Sequence, residues 1–108
     1  MEKTFSKYAV KFDSSSSVWY DDNDYNVLYI LSLADRFSDL LETRGYVFLR
    51  DILEALGLPI TKDSITVGWY YDTSNKLVGN YVEITIHDLG DETYMLDLNV
   101  DGDISSKF

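Results

Sequence analysis

LVGNYVEITIHDLGDETYMLDLNVDGDISS, residues 77–106, carries seven carboxylates (Glu83, Asp88, Asp91, Glu92, Asp97, Asp101 and Asp103) and no Lys or Arg. So many uncompensated acids would suit a disordered tail, but here they are interleaved with Val82, Ile84, Ile86, Tyr94, Leu96, Leu98 and Val100. An alternation of period two sends apolar side chains to one face of a strand and polar ones to the other. The stretch therefore predicts two antiparallel strands connected through Leu89, Gly90, Asp91 and Glu92. Tyr81, Glu83, Thr85 and His87 would point outward from the first strand, and Met95, Asp97, Asn99 and Asp101 from the second.

Upstream of this pair, Ile65, Val67, Trp69 and Tyr71 alternate as a third strand after a loop at residues 60–64. Turn-forming residues at 72–76 and at Gly79-Asn80 separate it from the next strand. Earlier still, Asp21, Asp22, Asn23 and Asp24 form a helix-start signal, because short acidic and amide side chains accept the unpaired first-turn N–H groups. Val27, Ile30, Leu31, Ala34, Phe37 and Leu41 then recur at helical spacing up to Arg44, and Gly45 is placed to end the helix in a left-handed conformation. Leu49, Ile52, Leu53 and Leu56 make a second, shorter apolar face, stopped by Gly57 and Pro59. In residues 4–12 a strand is favoured by Tyr8, Val10 and Phe12, and the serines at 14–17 form a polar connection. The expected fold class is α+β: two antiparallel helices, joined tightly around Gly45, packed on a three- to four-stranded antiparallel sheet as a single domain, 1–108.

Composition bounds what such a domain can do. The chain has 108 residues, 45% of them hydrophobic, and a formal net charge of −10. This is enough apolar content for one core and too much negative charge for a phosphate-binding footprint, so direct contact with nucleic acid or anionic lipid is not expected. No apolar run approaches the ~18 residues of a membrane span. The beginning, MEKTFSKYAVKF, lacks the apolar core of a signal peptide, and there is no Cys for disulfide or thiolate chemistry. A cytoplasmic protein is the expectation. The charge is also uneven: residues 12–35 carry a net −5 and residues 77–108 a net −6, while residues 1–11 carry +2 and residues 36–76 only −1.

The run RGYVFLRDILEALGLPITKDSITVGWYYD (residues 44–72), with LDLNVDG (residues 96–102) after it, resembles a family of small uncharacterised proteins encoded in phages and prophages of Gram-positive bacteria. The likeness lies in the GYVFL-aspartate-aliphatic-LG block, the VGW-tyrosine strand and the closing NVDG. It covers about half of the chain, leaves out residues 1–43 and is lost after Asp103. The resemblance implies a phage context. It implies no site residues, because none are established for that family.

Each chemistry that the residues suggest has a plainer reading beside it. DLNVDGD (residues 97–103) matches the opening of an EF-hand calcium loop, with oxygen ligands at positions 1, 3 and 5 and Gly at 6. Position 12 is Phe108 in place of the bidentate carboxylate, and a strand ending at an Asp-Gly turn accounts for the same letters. His87 is the only histidine, so no multi-histidine metal site can form, and no Ser sits in a nucleophile-elbow context. A helix-turn-helix around Gly45 would present only Arg50 as a base. The sequence thus suggests no enzyme, no metal and no cofactor. The partner expected is a basic, nucleic-acid-processing host defence protein, bound through an acidic surface of Glu83, Asp88, Asp91, Glu92, Asp97, Asp101, Asp103, Asp21, Asp22, Asp24 and Tyr81. The anticipated activity is that of an anti-CRISPR or anti-restriction inhibitor acting as a nucleic-acid mimic. A virion or assembly component, and an immunity protein against a basic nuclease toxin, are the alternatives.

Overall fold

Helix α1 (Asn23–Arg44) begins where the carboxylate of Asp22, in extended conformation, accepts from the amides of Asp24 and Tyr25 at 2.9 and 3.3 Å. It ends at Gly45, whose φ of 93° is costly for any residue with a Cβ and whose N–H donates to the Leu41 carbonyl. A computed structural model of the chain describes residues 8–71 and 81–107. The expected turns at 72–76 and Gly79-Asn80, and the part of the first strand before Tyr8, lie outside these residues.

The chain is α+β, with two helices and two three-stranded antiparallel sheets. Strand β1 (Val10–Phe12) precedes α1. Strand β2 (Tyr46–Phe48) and helix α2 (Leu49–Ala55) follow it, then β3 (Val67–Tyr70), β4 (Ile84–Gly90), β5 (Thr93–Leu98) and β6 (Gly102–Asp103). One sheet has the order β1-β5-β4 and the other β2-β3-β6. The single sheet expected from the sequence is therefore split. Three further expectations are corrected with it. Tyr46, Val47 and Phe48 form a strand paired with Tyr70, Trp69 and Gly68, so the helices are not joined directly at Gly45 and no helix-turn-helix exists. Ile65 belongs to a 3-10 turn (Asp63–Ile65) and is exposed, because the third strand starts only at Val67. Leu31 is 46% exposed while Leu33 is buried: the core face of α1 is rotated by the buried amide Asn26, whose side chain pairs with both backbone groups of Tyr20.

The core joins both helices and both sheets. Ile30, Leu33, Phe37 and Leu41 of α1, Leu49, Ile52 and Leu53 of α2, Val47 and Trp69 of the second sheet and Phe12, Ile84, Leu96 and Leu98 of the first are buried together. Strands β2 and β3 approach so closely at Gly68 that a Cβ there would lie 2.1 Å from the Val47 carbonyl oxygen. Among the described residues no helix is long and apolar enough to cross a membrane.

Candidate functional site

Helix α1 runs alongside β4 in the opposite direction, and this arrangement decides which acids meet. Near its C-terminal half, the Ser38 hydroxyl accepts from the Val82 amide at 2.9 Å and donates to the Val82 carbonyl at 3.1 Å, taking the place of a neighbouring strand just before β4. At the other end, Asp24 of the first helical turn lies close enough to the Tyr94 hydroxyl, with Asp88 and Glu92, to affect its ionisation. Burial pushes the Tyr94 pKa up, and the charges of Asp88, Asp24 and Glu92 push it further in the same direction. Tyr94 is anchored there by Trp19 (ring centroids 5.9 Å apart), which in turn packs on Phe12 at 5.3 Å.

Six of the predicted acids thus occupy two neighbouring segments, Asp21, Asp22 and Asp24 at the start of α1 and Asp88, Asp91 and Glu92 at the β4–β5 hairpin. Gly90 pairs with Thr93 in the register, leaving Asp91 and Glu92 as a two-residue turn with φ of 53° and 57°. Such a turn favours Asn-Gly, because both central residues are left-handed. Here it holds two carboxylates, with Asp88 bracing it through the Gly90 amide at 2.8 Å. Leu89, between Asp88 and Gly90, is exposed.

Glu83, Asp97 and Tyr81 lie elsewhere. Asp97 stands opposite Thr85, and the Asn99 amide donates to the Glu83 carbonyl at 3.3 Å, so Glu83 and Asp97 are diagonal neighbours on the outer face of the first sheet. The same face carries Lys11, aligned with Met95 and His87. The exposed Tyr81 sits beside Glu83, and its hydroxyl titrates above the ordinary range because the Glu83 carboxylate accepts from it and repels the phenolate.

Asp101 and Asp103 do not share that face. Strand β5 stops at Leu98, and the chain crosses to the second sheet, where Asp101 N donates to the Gly68 carbonyl at 3.0 Å and Ile104 N to that of Thr66 at 2.9 Å. The Asp101 carboxylate accepts from the Tyr70 amide at 3.0 Å. That of Asp103 accepts from the Ser105 hydroxyl at 2.6 Å and amide at 2.8 Å, and these bonds hold its pKa below the usual carboxylate value. DLNVDGD is a strand end and a sheet switch. Among the described residues no group of three or more His, Asp or Glu is arranged to hold a metal ion.

The residue at that switch, Asn99, escaped the sequence reading. Its Oδ1 accepts from the Trp69 indole N–H at 2.9 Å and from the Glu83 amide at 2.7 Å, while its Nδ2 donates to the Tyr81 carbonyl at 3.0 Å. The acidic end also carries exposed apolar side chains. Tyr20 and Tyr25 stack on each other at 4.7 Å and are both largely exposed, and Leu28, one turn further along α1, is 67% exposed. A leucine on the solvent side of a helix leaves no periodic trace that separates it from a core leucine.

A cleft of about 460 Å³ opens between β1 and α2, lined by Tyr8, Val10, Leu49, Leu53 and Leu58 with Lys11 and Asp63 among its polar groups. Among the described residues its lining offers one cation, Lys11, and one carboxylate, Asp63, without a nucleophile beside a base.

The chain belongs to DUF6353, a family of unknown function whose model matches residues 1–107. No curated protein and no solved structure matches it.

Proposed function

We propose that this protein is a phage-encoded, non-enzymatic inhibitor that binds a basic nucleic-acid-binding defence protein in the host cytoplasm, in the anti-CRISPR or anti-restriction manner. Its carboxylates stand in for phosphates. The observation that carries this reading is that the segments 12–35 and 81–106, which hold the excess negative charge, contain no Lys or Arg and are folded into helix and sheet. A fixed array of exposed carboxylates attracts a Lys/Arg-rich groove over long range and speeds association with it. Glu83 and Asp97, as diagonal neighbours on antiparallel strands, are spaced by about 7–8 Å between backbones, a repeat comparable to successive charges on a nucleic-acid strand. In this reading the two helices lie antiparallel behind the strands and leave the acids facing outward. The phage context rests on the resemblance of residues 44–72 and 96–102.

The test is capture from host lysate at low and raised salt, with the wild type beside two charge reversals. One joins Glu83→Lys to Asp97→Lys, and the other Asp91→Lys to Glu92→Lys. Asp101 is left intact because it caps the Tyr70 amide. The expected result is recovery of a basic nucleic-acid-processing enzyme whose activity is inhibited, with loss of both binding and inhibition in at least one reversed variant and an unchanged far-UV circular dichroism spectrum. Undiminished inhibition by both reversed variants would overturn the proposal.

A further inference from the structure

Among the described residues, four of the eight large exposed apolar side chains lie at residues 20–28 and 88–92, the others being Leu31, Ile60, Ile65 and Tyr81. Tyr20, Tyr25 and Leu28 are 58%, 49% and 67% exposed, and Leu89 is 44% exposed at the hairpin whose Tyr94, paired with Asp88, packs on Trp19 just before Tyr20 with ring centroids 5.9 Å apart. Burying four such side chains in the protein's own core would have been favourable; instead they stand in solvent. On α1, Leu28 lies opposite the buried stripe of Asn26, Ile30, Leu33 and Phe37, so it faces away from the core. The Tyr20–Tyr25 pair is held in place by Asn26, which clamps both backbone groups of Tyr20. The patch is therefore a fixed feature, with rigid aromatic side chains of the type that anchors protein interfaces.

Its surroundings say what covers it. Asp21, Asp22 and Asp24 border the tyrosine pair, and Asp88, Asp91 and Glu92 border Leu89, while neither segment contains a Lys or Arg. A second copy of this chain would bring acids against acids, and an anionic lipid surface or nucleic acid would be repelled.

We infer that the end of the molecule formed by the start of α1 and the β4–β5 hairpin docks a basic amphipathic segment of a partner protein, with apolar side chains covering Tyr25, Leu28 and Leu89 and flanking Lys or Arg meeting the carboxylates. The inference rests on the inhibitor reading and deepens it. Contact with the partner is then not charge alone. Pure phosphate mimicry weakens steeply with salt, whereas apolar anchors retain affinity when the carboxylates are screened.

The experiment uses two synthetic peptides of equal positive charge, titrated into the full-length isotope-labelled protein at physiological ionic strength and followed by amide chemical shifts. One places a leucine stripe between its lysines at helical spacing, and the other is oligolysine. The amphipathic peptide should bind at least about tenfold more tightly, a difference of about 1.4 kcal/mol and within reach of a few partly buried leucines. Its shifts should fall at residues 20–28 and 88–92. Replacing Leu28→Ser and Leu89→Ser together, both exposed and so compatible with folding, should abolish the preference and leave oligolysine affinity unchanged. Equal affinity of the two peptides, a preference that survives the double replacement, or shifts centred on Glu83 and Asp97 would overturn the inference while leaving an acidic binding face standing. Failure of both peptides to bind even at low salt would count against the inhibitor reading as well.

Discussion

Asn99 shows how a single side chain can hold two sheets together. Its amide satisfies the indole N–H of Trp69, which is 1% exposed, and spans both backbone groups at the start of the β4 strand through Glu83 N and Tyr81 O. Removing it in Asn99→Ala takes the partner from the indole N–H and from two backbone groups, and because Asn99 is exposed and water enters, the loss is about 0.5–1.5 kcal/mol for each hydrogen bond. The urea midpoint should fall accordingly and Trp fluorescence should shift. Asn99→Asp should be intermediate, since a carboxylate still accepts from Trp69 and Glu83 but cannot donate to Tyr81; an unchanged midpoint in the alanine variant would show the node to be dispensable. Nothing in the letters NVDG betrays this role. They read as a strand end at an Asp-Gly turn and say nothing of Asn99, because a side chain's hydrogen-bond partners at separations of 16 to 30 residues depend on pairing that no local pattern encodes.

At the scale of elements, legibility followed the length of the repeating signal. Helix α1 was readable at both ends, since Asp22 and Gly45 act through local geometry and 22 residues give the period many chances to show. The strand β2 was not, because three apolar residues running straight into the leucines of α2 look the same as an early helical turn. Likewise, the crowded run of Leu28, Tyr29, Ile30, Leu31 and Leu33 supports more than one buried face, and the one that is buried includes the polar Asn26, which apolar spacing does not register. The alternation of β4 and β5 was correct, but it could not disclose that the turn is two residues long. That turn makes a prediction. Glu92 sits at φ 57°, where a Cβ is disfavoured, so Glu92→Gly should relieve strain and stabilise the hairpin by about 0.5–1 kcal/mol, whereas Glu92→Gln should not. If the acidic end is the docking face, the glycine variant should at the same time bind a basic peptide less tightly. A thermal melt and one binding isotherm on each variant check both halves, and a lower melting temperature for the glycine variant would refute the first.

Over the whole molecule the acids set a pH dependence that differs at its two limits. Asp13 and Asp103 have pKa values lowered by hydrogen bonds from Ser15 and Ser105, so their contribution is present above the usual carboxylate range and is lost as pH falls through their folded-state values. Tyr94 behaves in the opposite sense. Its pKa is raised by burial first and then by Asp88, Asp24 and Glu92, so the folded state holds the phenolic proton more tightly than the unfolded chain does. Stability is then undiminished below the ordinary tyrosine value and falls as pH climbs from there towards the raised one, since ionisation would place a fourth negative charge among three carboxylates. Melting temperatures taken between about pH 8 and pH 11 should therefore drop steeply in the wild type and less in Tyr94→Phe. Tyrosinate absorbance should keep in that variant the late-titrating component of Tyr81, beside Glu83, and lose that of Tyr94. Replacing Asp24 and Glu92 by Asn and Gln should move the same component to lower pH without removing it, because burial persists, and added salt should do so in part by screening. A Tyr94 component that stays in place when Asp24 and Glu92 are replaced would mean that the start of α1 and the hairpin do not meet around Tyr94, and with that the six carboxylates would cease to form one surface.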